Sequence, residues 1–259
     1  MDLKSWLRSE AAPFVLALQF LTRLRLPFEV AFSPQALAAS PRWYAGAGVV
    51  VGVCAGLLYW AASGLFPPLV AVLVATAGQV LVTGGLHEDG FADACDGLGG
   101  VRPRARVLEI MRDSRIGTYG VLGLMLMLGG RVAVLAQLPG VAVPFVLIAA
   151  HAASRAAMLW VMASSAYVRD QGAATGVAGR LDQRAVVTGF TTAAVAMLPL
   201  LFVLPAMSVL LGMVGLGAGY HAMRHRFEAR LGGYTGDCLG AVQQCSEVGF
   251  YLGVLAWLA

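Results

Sequence analysis

Charged side chains are scarce: they make up 12% of the 259 residues, about half the fraction expected for a soluble domain. So few polar groups cannot cover the surface of a water-soluble protein of this size, which points to lipid as the solvent. Also missing is the short alternating pattern of barrel strands. Only helices and closed barrels satisfy their backbone hydrogen bonds in hydrocarbon, so helices remain. The four cysteines (Cys54, Cys95, Cys238 and Cys245) form neither a disulfide framework nor a zinc pattern. No small-residue cleavage site follows the first apolar run before Arg23 and Arg25, so no removable signal peptide is expected. No repeat of fixed period and no low-complexity tract divides the chain, and residues 1–259 read as one domain.

What is present is a series of apolar stretches of about twenty residues, the length a helix needs to cross the hydrocarbon. They run at 44–63, 68–86, 117–138, 141–163, 185–204, 206–222 and 238–258. The expected fold is therefore all-α and polytopic, with about seven transmembrane helices. Uncharged turns at Phe66-Pro67-Pro68, Pro139-Gly140 and Pro205 join neighbouring stretches into hairpins. The remaining segments, 1–43, 87–116, 164–184 and 224–237, hold sixteen of the eighteen Lys and Arg residues. The positive-inside rule places those segments in the cytoplasm, and an odd number of crossings puts the C-terminus outside. The run 11–22 is too short to span and is followed at once by Arg23 and Arg25. It reads as an interfacial or re-entrant helix, with a short tilted span as the alternative.

The segment from His87 to Gly97 carries four acids, Glu88, Asp89, Asp93 and Asp96, with no Lys or Arg until Arg102. On a helix Asp89, Asp93 and Asp96 share one stripe, where like charges repel. A hard divalent cation relieves that repulsion, and Mg²⁺ is typically held by a few carboxylates plus substrate phosphates. The bland alternative is a solvated acidic turn. Glu88 lies off the stripe and is a weaker ligand candidate. The stretch from Arg112 to Gly120 adds complementary chemistry. Arg112 and Arg115 can bind phosphate with paired hydrogen bonds, with Thr118 at the start of the next helix, where backbone amides favour anions. Asp113 either completes the metal set or pairs with an arginine. Tyr119 is a further candidate. Arg102, Arg104 and Arg106 read as topology and headgroup contacts.

Polar residues at membrane depth are expensive and default to a functional hypothesis. Arg155 follows His151 by one helical turn, and either binds a substrate phosphate or pairs with Glu247. Asp237 and Glu247 fall close to one helical face, with Thr235 and Asp237 where an N-cap is needed. Arg131 is assigned no function.

The string HEDGFADACDGLGG, followed by RARVLEIMRDSRIGTYGVLGL, resembles the signature of the cobalamin synthase family, the adenosylcobinamide-GDP ribazoletransferases. His87, Asp89, Gly90, Asp93, Asp96, Gly97 and residues 108–120 match it. FLTRLRLP at 20–27 and GGYTGDCLGA at 232–241 are similar to the family's first and last segments. The stretch 164–184 departs most from the family pattern. The resemblance implies a Mg²⁺-dependent transferase of the cytoplasmic (inner) membrane. It would join α-ribazole, or its 5′-phosphate, to adenosylcobinamide-GDP and release GMP. The acidic motif is also similar in logic to that of CDP-alcohol phosphotransferases, which favours Asp96 over His87 as general base. No nucleic-acid partner is expected, and a homo-oligomer is not excluded. A transporter lined by His151, Arg155 and Glu247, or another lipid-processing phosphotransferase, are the rival readings.

Overall fold

A computed structural model describes residues 3–25, 30, 32–169, 177 and 181–259 of the chain. Among them the secondary structure is helical, apart from one isolated bridge between Tyr167 and Tyr234. The helices are α1 (Leu3–Leu21), α2 (Pro34–Ala39), α3 (Tyr44–Ser63), α4 (Pro68–Thr83), α5 (Leu86–Leu98) and α6 (Arg104–Ile110). They continue as α7 (Thr118–Leu135), α8 (Val143–Ser164), α9 (Gln183–Met197), α10 (Leu200–Val203), α11 (Ala206–Leu231) and α12 (Gly236–Leu258). A 3₁₀ turn, Ser40–Trp43, runs α2 into α3.

Five helical segments are long and apolar enough to cross a membrane: Pro34–Ser63, Thr118–Leu135, Val143–Ser164, Gln183–Val203 and Ala206–Leu231. The pair α4 and α5 passes the same test only when taken together, and it bends by 90° at its junction, as a broken span or a re-entrant loop does. The protein is thus a multi-pass helical membrane protein. Two of the expected stretches are interrupted. Residues 185–204 break after Met197, where Pro199 lacks the amide a continuous helix requires. The stretch 68–86 ends at Thr83, because Gly84 and Gly85 both take left-handed φ values of 68° and 72°. The apolar part of α1, Glu10–Leu21, is shorter than a span. Glu10 binds Arg42 at 3.1 Å and the Trp43 indole at 2.9 Å, fixing α1 against the start of α3.

Small residues let the spans approach closely, as membrane helices require without a hydrophobic drive between them. A Cβ on Gly48 of α3 would lie 2.2 Å from the His151 carbonyl oxygen of α8. One on Gly249 of α12 would lie 2.2 Å from the Gly215 carbonyl of α11. Among the described residues the apolar core falls into three clusters. One gathers Met111, Phe227, Tyr234 and Val242 near the polar face, a second gathers Tyr59, Leu135, Leu147 and Phe250, and a small third joins alanines of α3, α8 and α9.

Between the clusters sits a buried polar network. Glu247 pairs with Arg131 at 2.9 Å and with His151 at 2.8 Å, and accepts from the Tyr251 hydroxyl at 3.1 Å. Arg155 Nη1 lies 3.2 Å from His151 Nδ1 and donates to that residue's carbonyl at 3.1 Å. The direct partner of Glu247 is therefore Arg131, not the Arg155 anticipated from the sequence, because α7 turns Arg131 inward to full burial. Two arginines and two glutamates balance in this network, since Arg131 also lies 3.7 Å from Glu88. Arg155 touches only His151 in the network, and its charge is answered by the glutamates nearby rather than by a direct ion pair.

Candidate active site

The left-handed pair Gly84-Gly85 turns the chain out of α4, and the Asp89 amide donates to the Gly85 carbonyl at 2.8 Å to begin α5. The acidic motif is therefore a helix lying across the end of α4. It is held against α12 by another close approach: a Cβ on Gly90 would lie 3.0 Å from the Asp237 Cα.

The acids of this helix go to different places. Asp89 is exposed and Asp93 half-buried, and both line a cleft of about 960 Å³. Glu88 also reaches the cleft, but its Oε1 accepts from Gln244 at 3.0 Å, so it belongs to the buried network. Asp96 turns to the N-terminus of α7 and accepts from the Gly117 amide at 2.7 Å and the Gly120 amide at 2.9 Å. Those two glycines leave the room, since a Cβ on either would fall within 2.5 Å of an Asp96 oxygen. His87 is buried with Nε2 unpartnered and faces the buried network. Neither base candidate from the sequence lines the cleft.

The opposite wall is the loop between α6 and α7. Arg112 and Asp113 line the cleft there. Asp113 pairs with Arg115 at 2.7 Å, and that hydrogen-bonded guanidinium holds its carboxyl down at about 2. Arg115, Thr118 and Tyr119 are exposed and stand outside the cleft lining. Arg155 and Glu247 are buried in the network and do not line the cleft.

Asp237 follows the Thr235 N-cap, whose hydroxyl accepts from the Cys238 amide. Its carboxylate lies beside Asp93 and pairs with Arg169 at 2.7 Å. Arg169 is placed by the bridge between 166–168 and Tyr234 and also donates to the Met111 carbonyl at 3.0 Å. Burial first, and then the charges of Asp237 and Asp89, push the Asp93 carboxyl up to about 7.

Among the described residues no three His, Cys, Asp or Glu side chains form a complete metal-holding group. The donors present still suit Mg²⁺, which takes one or two carboxylates and fills its remaining positions with water and substrate phosphate. Asp89 and Asp93 provide two such oxygens on one cleft wall, and the crowding that raises Asp93 is what a cation relieves.

Sequence reasoning missed three residues here. Thr22 and Arg23 line the cleft from the segment after α1, and their only signal was the FLTRLRLP string, whose Leu26 and Pro27 lie outside the described residues. Arg169 falls in the stretch least like any pattern, and nothing in the sequence marks it.

Comparison with known proteins assigns nearly the whole chain to one family. The profile of the cobalamin-5-phosphate synthase family covers residues 13–255. Among curated relatives, the adenosylcobinamide-GDP ribazoletransferase of Leptothrix cholodnii is 40% identical over 96% of this chain and 96% of its own. That of Polaromonas sp. is 38% identical over 93% of this chain and 95% of its own. The Shewanella amazonensis protein of the same name is 37% identical over 97% of each chain. No solved structure matches. With the family profile covering nearly the whole chain, and relatives of one name matching it from end to end, this protein belongs to the cobalamin-5-phosphate synthase family of transferases in cobalamin synthesis.

Proposed function

We propose that the protein transfers the adenosylcobinamide phosphate group of adenosylcobinamide-GDP to α-ribazole, or to α-ribazole 5′-phosphate, with release of GMP and in the presence of Mg²⁺. The observation that carries this reading is the cleft itself. The two halves of the family signature, far apart on the acid helix and the α6–α7 loop, meet across it as Asp89 and Asp93 facing Arg112 and Asp113.

An acceptor hydroxyl attacks the phosphorus next to cobinamide and releases its proton to solvent, the bond to the bridging oxygen breaks, and GMP leaves with that oxygen. A cobalamin-5-phosphate product keeps the 5′-phosphate of its acceptor, so the attacking atom is a ribose hydroxyl with either acceptor. Asp89 and Asp93 would hold Mg²⁺, which when bound neutralises charge on the diphosphate oxygens. Arg112, without an ion pair among the described residues, binds the diphosphate from the other wall. Asp96 fixes the start of α7 through two backbone amides, and so sets where Arg112 stands. His87, Arg155 and Glu247 belong to the buried network and act on α5 from behind. The cleft lies on the arginine-rich face, which by the positive-inside rule is cytoplasmic.

The test is transfer by the purified protein in lipid nanodiscs, supplied with adenosylcobinamide-GDP, either acceptor and Mg²⁺. Formation of cobalamin or its 5′-phosphate together with GMP is expected. A folded preparation that forms neither product with either acceptor would refute the assignment.

A further inference from the structure

We propose that Arg23 is a second phosphate-binding side chain of the cleft and grips the diphosphate of the nucleotide-activated substrate from the side opposite Arg112. This deepens the reading of the cleft as a diphosphate site and rests on it. Three observations carry it.

The first is fixed placement. The Arg23 amide donates to the Val82 carbonyl at 2.7 Å, tying the segment after α1 to the end of α4. The Thr22 hydroxyl donates to the Leu18 carbonyl at 2.7 Å and accepts from the Leu24 amide at 3.3 Å. Arg23 is thus held at the mouth of the cleft by backbone contacts on both sides.

The second is the seat of the guanidinium. Gly84 has φ of 68°, and a Cβ there would lie 2.1 Å from Arg23 Nε and 2.9 Å from Cζ. The side chain therefore lies flat on the bare backbone at the α4–α5 break. Any residue but glycine would displace it and strain the turn.

The third is its freedom from ion pairs. Glu88, Asp89, Asp93 and Asp113 line the same cleft, yet among the described residues Arg23 pairs with none of them. Other arginines of this face are engaged: Arg102 on the Asp96 carbonyl, Arg104 on the Leu231 carbonyl, Arg106 on Glu109 and Arg169 on Asp237. Arg25, Arg184, Arg226 and Arg230 are likewise without a side-chain partner among the described residues but do not line the cleft, whereas Arg23 and Arg112 line it and keep their donors free. A guanidinium supplies two parallel donors to a phosphate, which an ammonium cannot.

A lipid headgroup carries the same phosphate chemistry, so the test is made in lipid-free detergent as well as in nanodiscs. GDP with Mg²⁺ is the probe for direct binding by calorimetry, using Arg23→Gln and Arg23→Lys and comparing thermal unfolding with the wild type. Arg23→Gln is expected to weaken GDP binding about tenfold or more in both media, with Arg23→Lys intermediate and unfolding unchanged. The KM for adenosylcobinamide-GDP should rise while that for α-ribazole stays within about twofold. GDP affinity and donor KM within about twofold of wild type in Arg23→Gln would overturn the proposal. So would an effect confined to nanodiscs, which assigns Arg23 to lipid, or a wild type that does not bind GDP. The two readings fail separately. A wild type that binds GDP through Arg23 but transfers nothing to α-ribazole refutes the reaction and leaves the diphosphate contact standing. Transfer with Arg23-independent GDP binding refutes only the contact.

Discussion

Three aspartates at i, i+4 and i+7 of one helix end up with three environments, and their substitutions separate accordingly. Asp89 and Asp93 face the cleft, so Asp89→Asn and Asp93→Asn should each lower turnover by about a thousandfold, the loss associated with removing a principal charge-stabilising group, with little change in thermal unfolding. Asp96 holds two backbone amides, and asparagine retains one oxygen for them. Asp96→Asn should therefore lower the unfolding temperature in detergent and reduce turnover less than either cleft variant. The reverse order, with Asp96→Asn the most damaging and fully stable, would return Asp96 to the role of general base. A pH effect follows from Asp93, whose carboxyl burial and neighbouring acids push up to about 7. Below that pH a proton occupies the carboxylate that would face the cation, so metal binding must displace it. The Mg²⁺ concentration for half-maximal activity should thus rise as pH falls from about 8 to about 6, and Asp93→Asn should flatten that dependence. Asp113 cannot cause it, because its pairing with Arg115 keeps it ionised down to about 2.

At the scale of elements, the close helix contacts have consequences distinct from those of the cleft. Gly249 meets the Gly215 backbone with no space for a side chain. Gly249→Val should force α11 from α12 and destabilise the fold by about 1–3 kcal/mol, read as a lower unfolding temperature with an unchanged Mg²⁺ requirement in the remaining folded protein. A shifted Mg²⁺ requirement would show that the α11–α12 contact reaches the cleft. These elements also show what the sequence could and could not reveal. The apolar stretches, the Pro-rich turns and the helical spacing of Asp89 and Asp93 are local, and each was legible. The break at Gly84-Gly85 was not read, because consecutive glycines inside an apolar run look like span until their left-handed φ values are seen. The fate of Asp96 depends on amides that arrive 21 and 24 residues later. The choice of Arg131 over Arg155 for Glu247 depends on how α7 and α12 are rotated against each other, which no periodicity in either helix fixes.

For the whole molecule the number of crossings turns on α12. Five segments, or six with the bent α4–α5 pair, are apolar enough to span by composition, and α12 is not among them. Its 23 residues give a length of about 34 Å, sufficient to cross the hydrocarbon. Asp237 and Glu247, its two charges, are already answered by Arg169 and Arg131. With its acids paired to neighbouring elements, α12 needs no water along its length, and its close packing on α11 makes it the antiparallel return of that span. It is therefore expected to cross, placing Ala259 on the same side as the Pro139-Gly140 turn and opposite Arg104. The four native cysteines are unpaired and would be replaced before single cysteines are introduced beside Pro139, at Arg104 and at Ala259. An impermeant thiol reagent added outside intact cells should label the first and third and spare the second. Labelling at Pro139 alone would leave α12 folded back on the polar face and the chain with an even number of crossings. Labelling at Arg104 alone would invert the orientation drawn from sixteen one-sided cations and put the cleft on the outer surface.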